Sequence, residues 1–208
     1  MIEDRSLLLI FTRNPELGKC KTRLAATIGD EAALNIYKFL LQHTENVTRD
    51  LSLTKWVCYS EAINPDDHWD TDYFKKKLQM GNDLGERMEN AFRAGFKAGY
   101  KHIAIIGSDL YDLSSKDIMN AFELLKNSEA VIGPAKDGGY YLLGMNKIQP
   151  AVFKNKDWGT DSVLEATCRD LKSLDITKLE VRNDVDVYDD IAEVPAFQPF
   201  LKHIKNDA

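Results

Sequence analysis

The stretch SLLLIFTRNPELGKCKTRLA, Ser6 to Ala25, sets a strand directly before a basic turn, and that order decides the fold. SLLLIFT, Ser6–Thr12, is one strand long, with five consecutive apolar residues between Ser6 and Thr12, the pattern of a strand buried on both faces. Behind it stands one glycine, Gly18, with Lys19, Lys21 and Arg23 packed into the five residues that follow. A glycine turn at the end of a buried strand exposes backbone amides, and cations beside it supply charge for phosphate oxygens, Arg bidentately. The Walker A spacing is not met, because no glycine precedes Gly18 at the required distance and Cys20 follows Lys19 where a hydroxyl is needed. The dinucleotide glycine pattern is not met either. Two readings remain for this loop: a phosphate-binding turn, or a solvated basic turn paired with acidic neighbours.

Outward from this stretch the chain alternates strands and helices. Asp30–Val47 places Leu34, Tyr37, Leu41 and Thr44 on one helical face, and LTKWVCY, Leu53–Tyr59, is the second strand. Glu61–Lys77 is polar and contains Pro65. It is expected to be a loop or small irregular lobe, with Asp66, Asp67, Asp70 and Asp72 solvated and His68 and Trp69 packed at the surface. A helix follows with Asp83 as cap, Glu86 closing a capping box, an apolar stripe of Leu84, Met88, Ala91, Phe92 and Phe96, and Gly99 as its stop. HIAIIG, His102–Gly107, is a central strand, and Ser114 with Asp117 opens a helix to Leu125. EAVIG and YYLLGM are strands, Thr160–Leu174 a helix capped by Thr160, ITKLEV extended, and DVYDDIAEV a short helix. The order β-α-β-α-β-α-β-β-α-β-α predicts one α/β domain, a three-layer sandwich around a mainly parallel mixed sheet. Ligands of such sheets sit at the carboxyl ends of the strands.

Composition narrows the function classes. With 27 Lys and Arg against 33 Asp and Glu, the net charge is -6, which argues against a general nucleic-acid binder but permits a local basic nest for a small phosphate ligand. Cys20, Cys58 and Cys168 match no zinc spacing and no disulfide framework, so a reducing compartment is expected. The start MIEDRSLLLIF does not read as a signal peptide, no stretch approaches membrane length, and the cytoplasm is the expected location. His43, His68, His102 and His203 are scattered, and no nucleophile motif is present.

Three further segments carry candidate chemistry. In IIGSDLYDL, Asp109 stands just past the central strand, where a carboxylate can hold a divalent cation or cap a turn, with Asp112 a weaker candidate. In GPAKDGGYYLLG, Gly138 and Gly139 allow close backbone approach or a tight hairpin, Lys136 and Asp137 flank them, and one of Tyr140 and Tyr141 is expected to face a cleft. In VRNDVDVYDDI, Asp184 and Asp186 lie two apart on extended backbone, so both point one way and one or both can share a cation with Asp109, while Asp189 and Asp190 serve the following turn. Trp158 either covers a ligand or packs.

Together, FTRNPELGKCKTRLA, GNDLGERMENAF, IIGSDLYDL, GPAKDGGYYLLG and WGTDSVL resemble a bacterial family assigned as glycosyltransferases of nucleotide-diphospho-sugar transferase fold, glycosyltransferase-A-like, also called radical-SAM/selenodomain-associated transferases. The resemblance runs from about Leu8 to Ile191. That family is similar both to enzymes that transfer a sugar from a nucleotide-sugar and to nucleotidyltransferases such as 2-phospholactate guanylyltransferase and the molybdenum-cofactor nucleotidyltransferases. The resemblance implies that Gly18, Lys21 and Arg23 hold nucleotide phosphates and that Asp109, with Asp186, holds Mg2+ or Mn2+; beside them Lys19 is expected to add charge, and Gly138, Gly139 and Tyr140 to shape the donor or acceptor side. Asp109 and Asp137 are the expected catalytic residues. The chain departs from the family at Leu110-Tyr111, where Cys-Pro is usual, and at Val187-Tyr188, where Thr-Pro is usual. The expectation is a metal-dependent transferase that uses a nucleotide-sugar and a small-molecule acceptor. The alternatives are nucleotidyl transfer from a nucleoside triphosphate to a phosphate acceptor, and a non-catalytic nucleotide-binding module. Base, sugar, acceptor and oligomeric state stay open.

Overall fold

A computed structural model describes residues 5–202; His203 and the acidic start 1–4 lie outside the described residues. Seven strands form one sheet: β1 (Ser6–Thr12), β2 (Thr54–Tyr59), β3 (Lys75–Leu78), β4 (His102–Gly107), β5 (Ala130–Pro134), β6 (Tyr140–Met145) and β7 (Ile176–Lys178), in the order β3-β2-β1-β4-β6-β5-β7. β6 runs antiparallel to β4 and β5, and all other pairs are parallel. The helices are α1 (Thr22–Ile28), α2 (Asp30–Arg49), α3 (Leu84–Lys97), α4 (Ser115–Leu125) and α5 (Val163–Asp170).

Alternate residues of the central strands build two apolar layers. Leu8, Ile10, Val57, Ala104, Ile106 and Leu142 pack with Ile118, Phe122 and Leu125 of α4, while Leu7, Leu9, Ile103, Ile105 and Leu143 pack with Met88 and Phe92 of α3. The continuous apolar runs follow from this, since a strand covered on both faces has no polar side to show. The result is the expected α/β sandwich with a mixed, mostly parallel sheet. β1 lies between β2 and β4, so strand order reverses at β1 and β4, and their carboxyl ends open the crevice where such sheets take ligands. Among the described residues, no helix is long and apolar enough to cross a membrane.

Several local expectations change. The segment read as a loop contains β3, an edge strand of sequence KKKL that pairs with β2 through its backbone. Its lysines find separate partners: the Lys76 ammonium lies 2.8 Å from Asp67, and that of Lys77 sits over the Trp56 ring. Trp69 is in the core, edge-on to buried Phe74 at 5.0 Å, rather than at the surface. Half of the α3 capping box forms, with Asp83 accepting the Glu86 N–H at 2.8 Å; the Glu86 carboxylate accepts the Asn82 N–H instead of that of Asp83. Leu84 is exposed and Gly85 takes the buried place, because the Phe153 carbonyl oxygen, with the Trp158 ring beside it, fills the space a Cβ there would need. The helix expected from Thr160 begins at Val163, as the Thr160 hydroxyl donates to the Asp157 carbonyl in the preceding turn. α1 was hidden in the basic turn, whose cations mask a short helix anchored by buried Leu24 and Ile28.

Candidate active site

The loop after β1 is shaped by its own polar groups. Gly18 takes φ +73°, a conformation open to glycine, and Lys19 donates its N–H to Glu16 O at 3.2 Å. Asn14 anchors the loop to the end of β2, its amide oxygen accepting the N–H groups of Glu61 and Ala62. Lys21 itself is left-handed, at φ 51° and ψ 48°, and α1 starts at the next residue. A lysine there is strained by about 1 kcal/mol, so the surroundings must hold it. What holds it is its ammonium, buried and 2.7 Å from Asp109 Oδ2 at the end of β4. In the first turn of α1, exposed Arg23 reaches Asp186 Oδ2 at 2.8 Å.

Charge in this cluster is linked. Burial disfavours both ions of the Lys21–Asp109 pair, but their mutual attraction and hydrogen bond outweigh it. The Asp109 carboxyl is held below the usual carboxylate range, and the Lys21 ammonium above its usual value. Asp184 has the opposite fate: burial, then the neighbouring charges of Asp109 and Asp137, push it up to about 6. Below the loop, buried Tyr37 accepts the Arg13 N–H at 2.9 Å and lies 3.4 Å from the hydroxyls of both Thr12 and Ser108, tying the ends of β1 and β4 together.

The segment that brings in the late aspartates is folded by Asp190. One of its oxygens accepts the N–H groups of Asp186 and Val187, and the other accepts Asn183 Nδ2. Val185 is buried against Leu24 and Ile28 of α1, and its N–H donates to Asp109 O at 3.2 Å. Asp184 and Asp186 therefore flank a buried residue at the site rather than project freely.

Two cavities open here and share Phe11, Leu84, Gly107 and Asp109 as a common wall. The larger, about 730 Å³, is polar and faces Arg13, Lys19, Lys21, Arg23 and Arg87. The smaller, about 230 Å³, lies beneath β6 and Trp158, and Asp137, Gly139, Tyr140 and Asp184 line it. Of the residues singled out in the sequence, Lys19, Lys21, Arg23 and Asp186 line the larger cavity, Asp137, Gly139 and Tyr140 the smaller, and Asp109 both. Lys19 is also paired with Glu16 at 2.7 Å. Gly18 and Gly138 line neither; a Cβ on Gly138 would lie 2.4 Å from Asp161 Cα, so that glycine serves packing of the β5–β6 turn against the start of α5. Asp184 and Asp186, expected to act at one point, face different cavities. Sequence reasoning passed over Arg13, Gln79, Asn82 and Arg87. Only Arg13, immediately after the first strand, carried a positional signal; Gln79 and Asn82 reach the cavity from the loop between β3 and α3, and Arg87 from α3.

Metal-binding capacity is limited. Among the described residues, no group of three or more His, Cys, Asp or Glu is gathered to hold an ion. The donors near Asp109 are nevertheless hard oxygens: Asp186 lines the larger cavity with it and Asp184 the smaller. Such a set fits a Mg2+-like ion held by one or two carboxylates and completed by a ligand's phosphates, not an all-protein cage.

The α/β sandwich around a mixed, mostly parallel sheet is of the nucleotide-sugar and cytidylyl transferase fold type. Solved structures agree. A provisionally named nucleotide-diphospho-sugar transferase from Desulfovibrio desulfuricans G20 is 29% identical, with 98% of this chain and 96% of that one covered at a TM-score of 0.85. More distant likenesses, of fold alone, are 4-diphosphocytidyl-2C-methyl-D-erythritol synthase (11% identity, 95% and 99% covered, TM-score 0.59) and Rv0371C of Mycobacterium tuberculosis H37Rv in complex with manganese (11%, 91% and 97%, 0.54). Residues 43–160 match the family described as "Uncharacterized protein conserved in bacteria (DUF2064)", and the chain belongs to that family. No curated protein matches.

Proposed function

We propose that the chain, residues 1–208 as one domain, is a metal-dependent transferase that takes a nucleotide-sugar in the larger cavity and an acceptor in the smaller. The observation that carries this reading is the shared wall at Asp109, where the polar and the apolar cavity meet beside the Lys21 ammonium. Lys21, Arg23 and Lys19 would neutralise the donor's diphosphate, and Asp109 would face the bond that breaks. Asp109 and Asp186 would hold Mg2+ or Mn2+, whose charge favours departure of the diphosphate. Gly139 and Tyr140 would border the transferred sugar or the acceptor, and Asp137 would take the acceptor's proton. Gly18 and Gly138 would support these groups by shaping the two turns.

One observation favours a second reading. Five cationic side chains, set among Glu61, Asp83, Asp109 and Asp186, line the larger cavity, and that many cations suit a triphosphate better than a diphosphate, as nucleotidyl transfer requires. Product analysis decides. The purified chain is incubated with magnesium or manganese and panels of nucleotide-sugars, nucleoside triphosphates and acceptors. Release of a nucleoside diphosphate from a nucleotide-sugar is the expected result. Pyrophosphate release from a triphosphate would replace it with the second reading, and nucleotide binding without either product would leave a binding module.

A further inference from the structure

The two cavities differ in charge as well as in size. The larger sets five cationic side chains, Arg13, Lys19, Lys21, Arg23 and Arg87, among four carboxylates, Glu61, Asp83, Asp109 and Asp186. The smaller has three carboxylates, Asp109, Asp137 and Asp184, and among the described residues no Lys, Arg or His lines it. Its apolar wall is pre-built. The Trp158 ring lies against α3 where a Cβ on Gly85 would come within 3.0 Å of it, and Tyr140 directs its hydroxyl to Met88 Sδ at 3.8 Å.

These features sort ligands. An anionic group in the smaller cavity would face three carboxylates, and Lys21, the cation at their Asp109 corner, is already paired with Asp109. A divalent ion at Asp109 would be committed to the donor's diphosphate, leaving Asp137 and Asp184 without compensation. The apolar wall offers van der Waals contact to a flat or aliphatic body, and the carboxylates offer hydrogen-bond acceptors to an O–H or N–H.

Resting on the transferase reading above and deepening it, we infer that the acceptor is a hydroxyl- or amine-bearing molecule with an apolar, ring-sized body and no phosphate or carboxylate. Its oxygen or nitrogen forms the new bond to the anomeric carbon of the donor sugar. The bond from that carbon to the diphosphate oxygen breaks, and its electron pair leaves on the nucleoside diphosphate. The acceptor's proton passes to Asp137, whose Oδ1 is held by the Gly139 N–H at 2.8 Å, and from there to solvent.

The test reads the cavity directly. The full chain, with its three tryptophans, is labelled with 5-fluorotryptophan, and Trp158→Phe assigns the Trp158 resonance. Four probes with one ring and different heads are titrated with and without magnesium: phenethylamine, 2-phenylethanol, 3-phenylpropionate and phenyl phosphate. The amine and the alcohol are expected to shift the Trp158 resonance, and the two anions to bind at least about tenfold more weakly than the amine, the size of one close charge–charge interaction in a half-open cleft. Asp137→Asn should weaken the amine and spare the alcohol. Either anion binding at Trp158 as tightly as the amine would overturn the inference, as would a Trp158 resonance that none of the four moves. A parallel thermal-shift titration with nucleoside diphosphates separates the two levels. Nucleotide binding with an anion-preferring cavity removes the acceptor class alone. Amine binding with no nucleotide binding keeps the cavity's preference and removes the transferase reading.

Discussion

The ammonium of Lys21 lies 2.7 Å from Oδ2 of Asp109, joining residues 88 positions apart across the mouth of the sheet. This contact closes the basic loop onto the central strand and gives both cavities their common corner. It also makes Lys21 the most informative position to change.

Lys21→Met leaves the Asp109 carboxylate without its partner in a partly buried site. The expected cost is about 1–3 kcal/mol at neutral pH. Because Lys21 holds the Asp109 carboxyl below its ordinary range, the pair's contribution is present above that range and is lost as pH falls through the lowered value. Urea unfolding should therefore show a gap between wild type and Lys21→Met at pH 7 that closes in acid. A gap independent of pH would contradict the pairing.

The backbone at Lys21 supplies a second, separable effect. At φ 51° a glycine is relaxed and an alanine is not. Lys21→Gly should thus be more stable than Lys21→Ala by about 1 kcal/mol, although both lose the ammonium. Equal midpoints for the two would mean the left-handed conformation is not maintained in solution.

Arg23 is predicted to matter for ligand and not for fold. Its pair with Asp186 is largely exposed, so Arg23→Ala should change stability by no more than about 0.5 kcal/mol. Nucleotide affinity, measured by calorimetry, should fall about tenfold, the loss of one charged hydrogen bond to phosphate. Unchanged affinity would detach Arg23 from the site.

Asp184 carries a penalty that a substitution can relieve. Its carboxyl, raised to about 6, is ordinary below the usual carboxylate range; the cost grows as pH rises from there and is complete above about 6. Asp184→Asn should raise the melting temperature at pH 7–8, by about 2–4 °C for each kcal/mol relieved, and leave it unchanged near pH 4. A melting-temperature gain of equal size at both pH values would point to packing instead of charge.

Gly138→Ala tests the turn between β5 and β6. The residue sits at φ +88° and the new methyl would meet the Asp161 backbone at 2.4 Å, so a loss of about 2 kcal/mol or more is expected. Gly29→Ala is the control, with a similar φ and nothing within 4 Å, and should cost less. Equal losses would assign the whole effect to backbone conformation.

What the amino-acid sequence determined by itself was the set of elements with short-range signals. Ser6–Thr12, His102–Gly107 and Tyr140–Met145 are strands over the residues their apolar runs span, and Ser114 with Asp117 forms the capping box that opens α4. Such signals are legible because a buried strand or a helix cap is decided within a few neighbouring residues. The basic turn and Asp109 were legible as separate candidates for the same reason. Tertiary structure alone decided what depends on distant partners. KKKL is a strand only because β2 offers it an edge, and Trp69 is core only because Phe74 folds back over it. Asp184 and Asp186 reach different cavities because Val185 is drawn into the core while Asp190 bends the chain just beyond. The division into a cavity of mixed charge and one lined by carboxylates without cations arises where segments far apart in the chain converge, and no local spacing encodes that convergence.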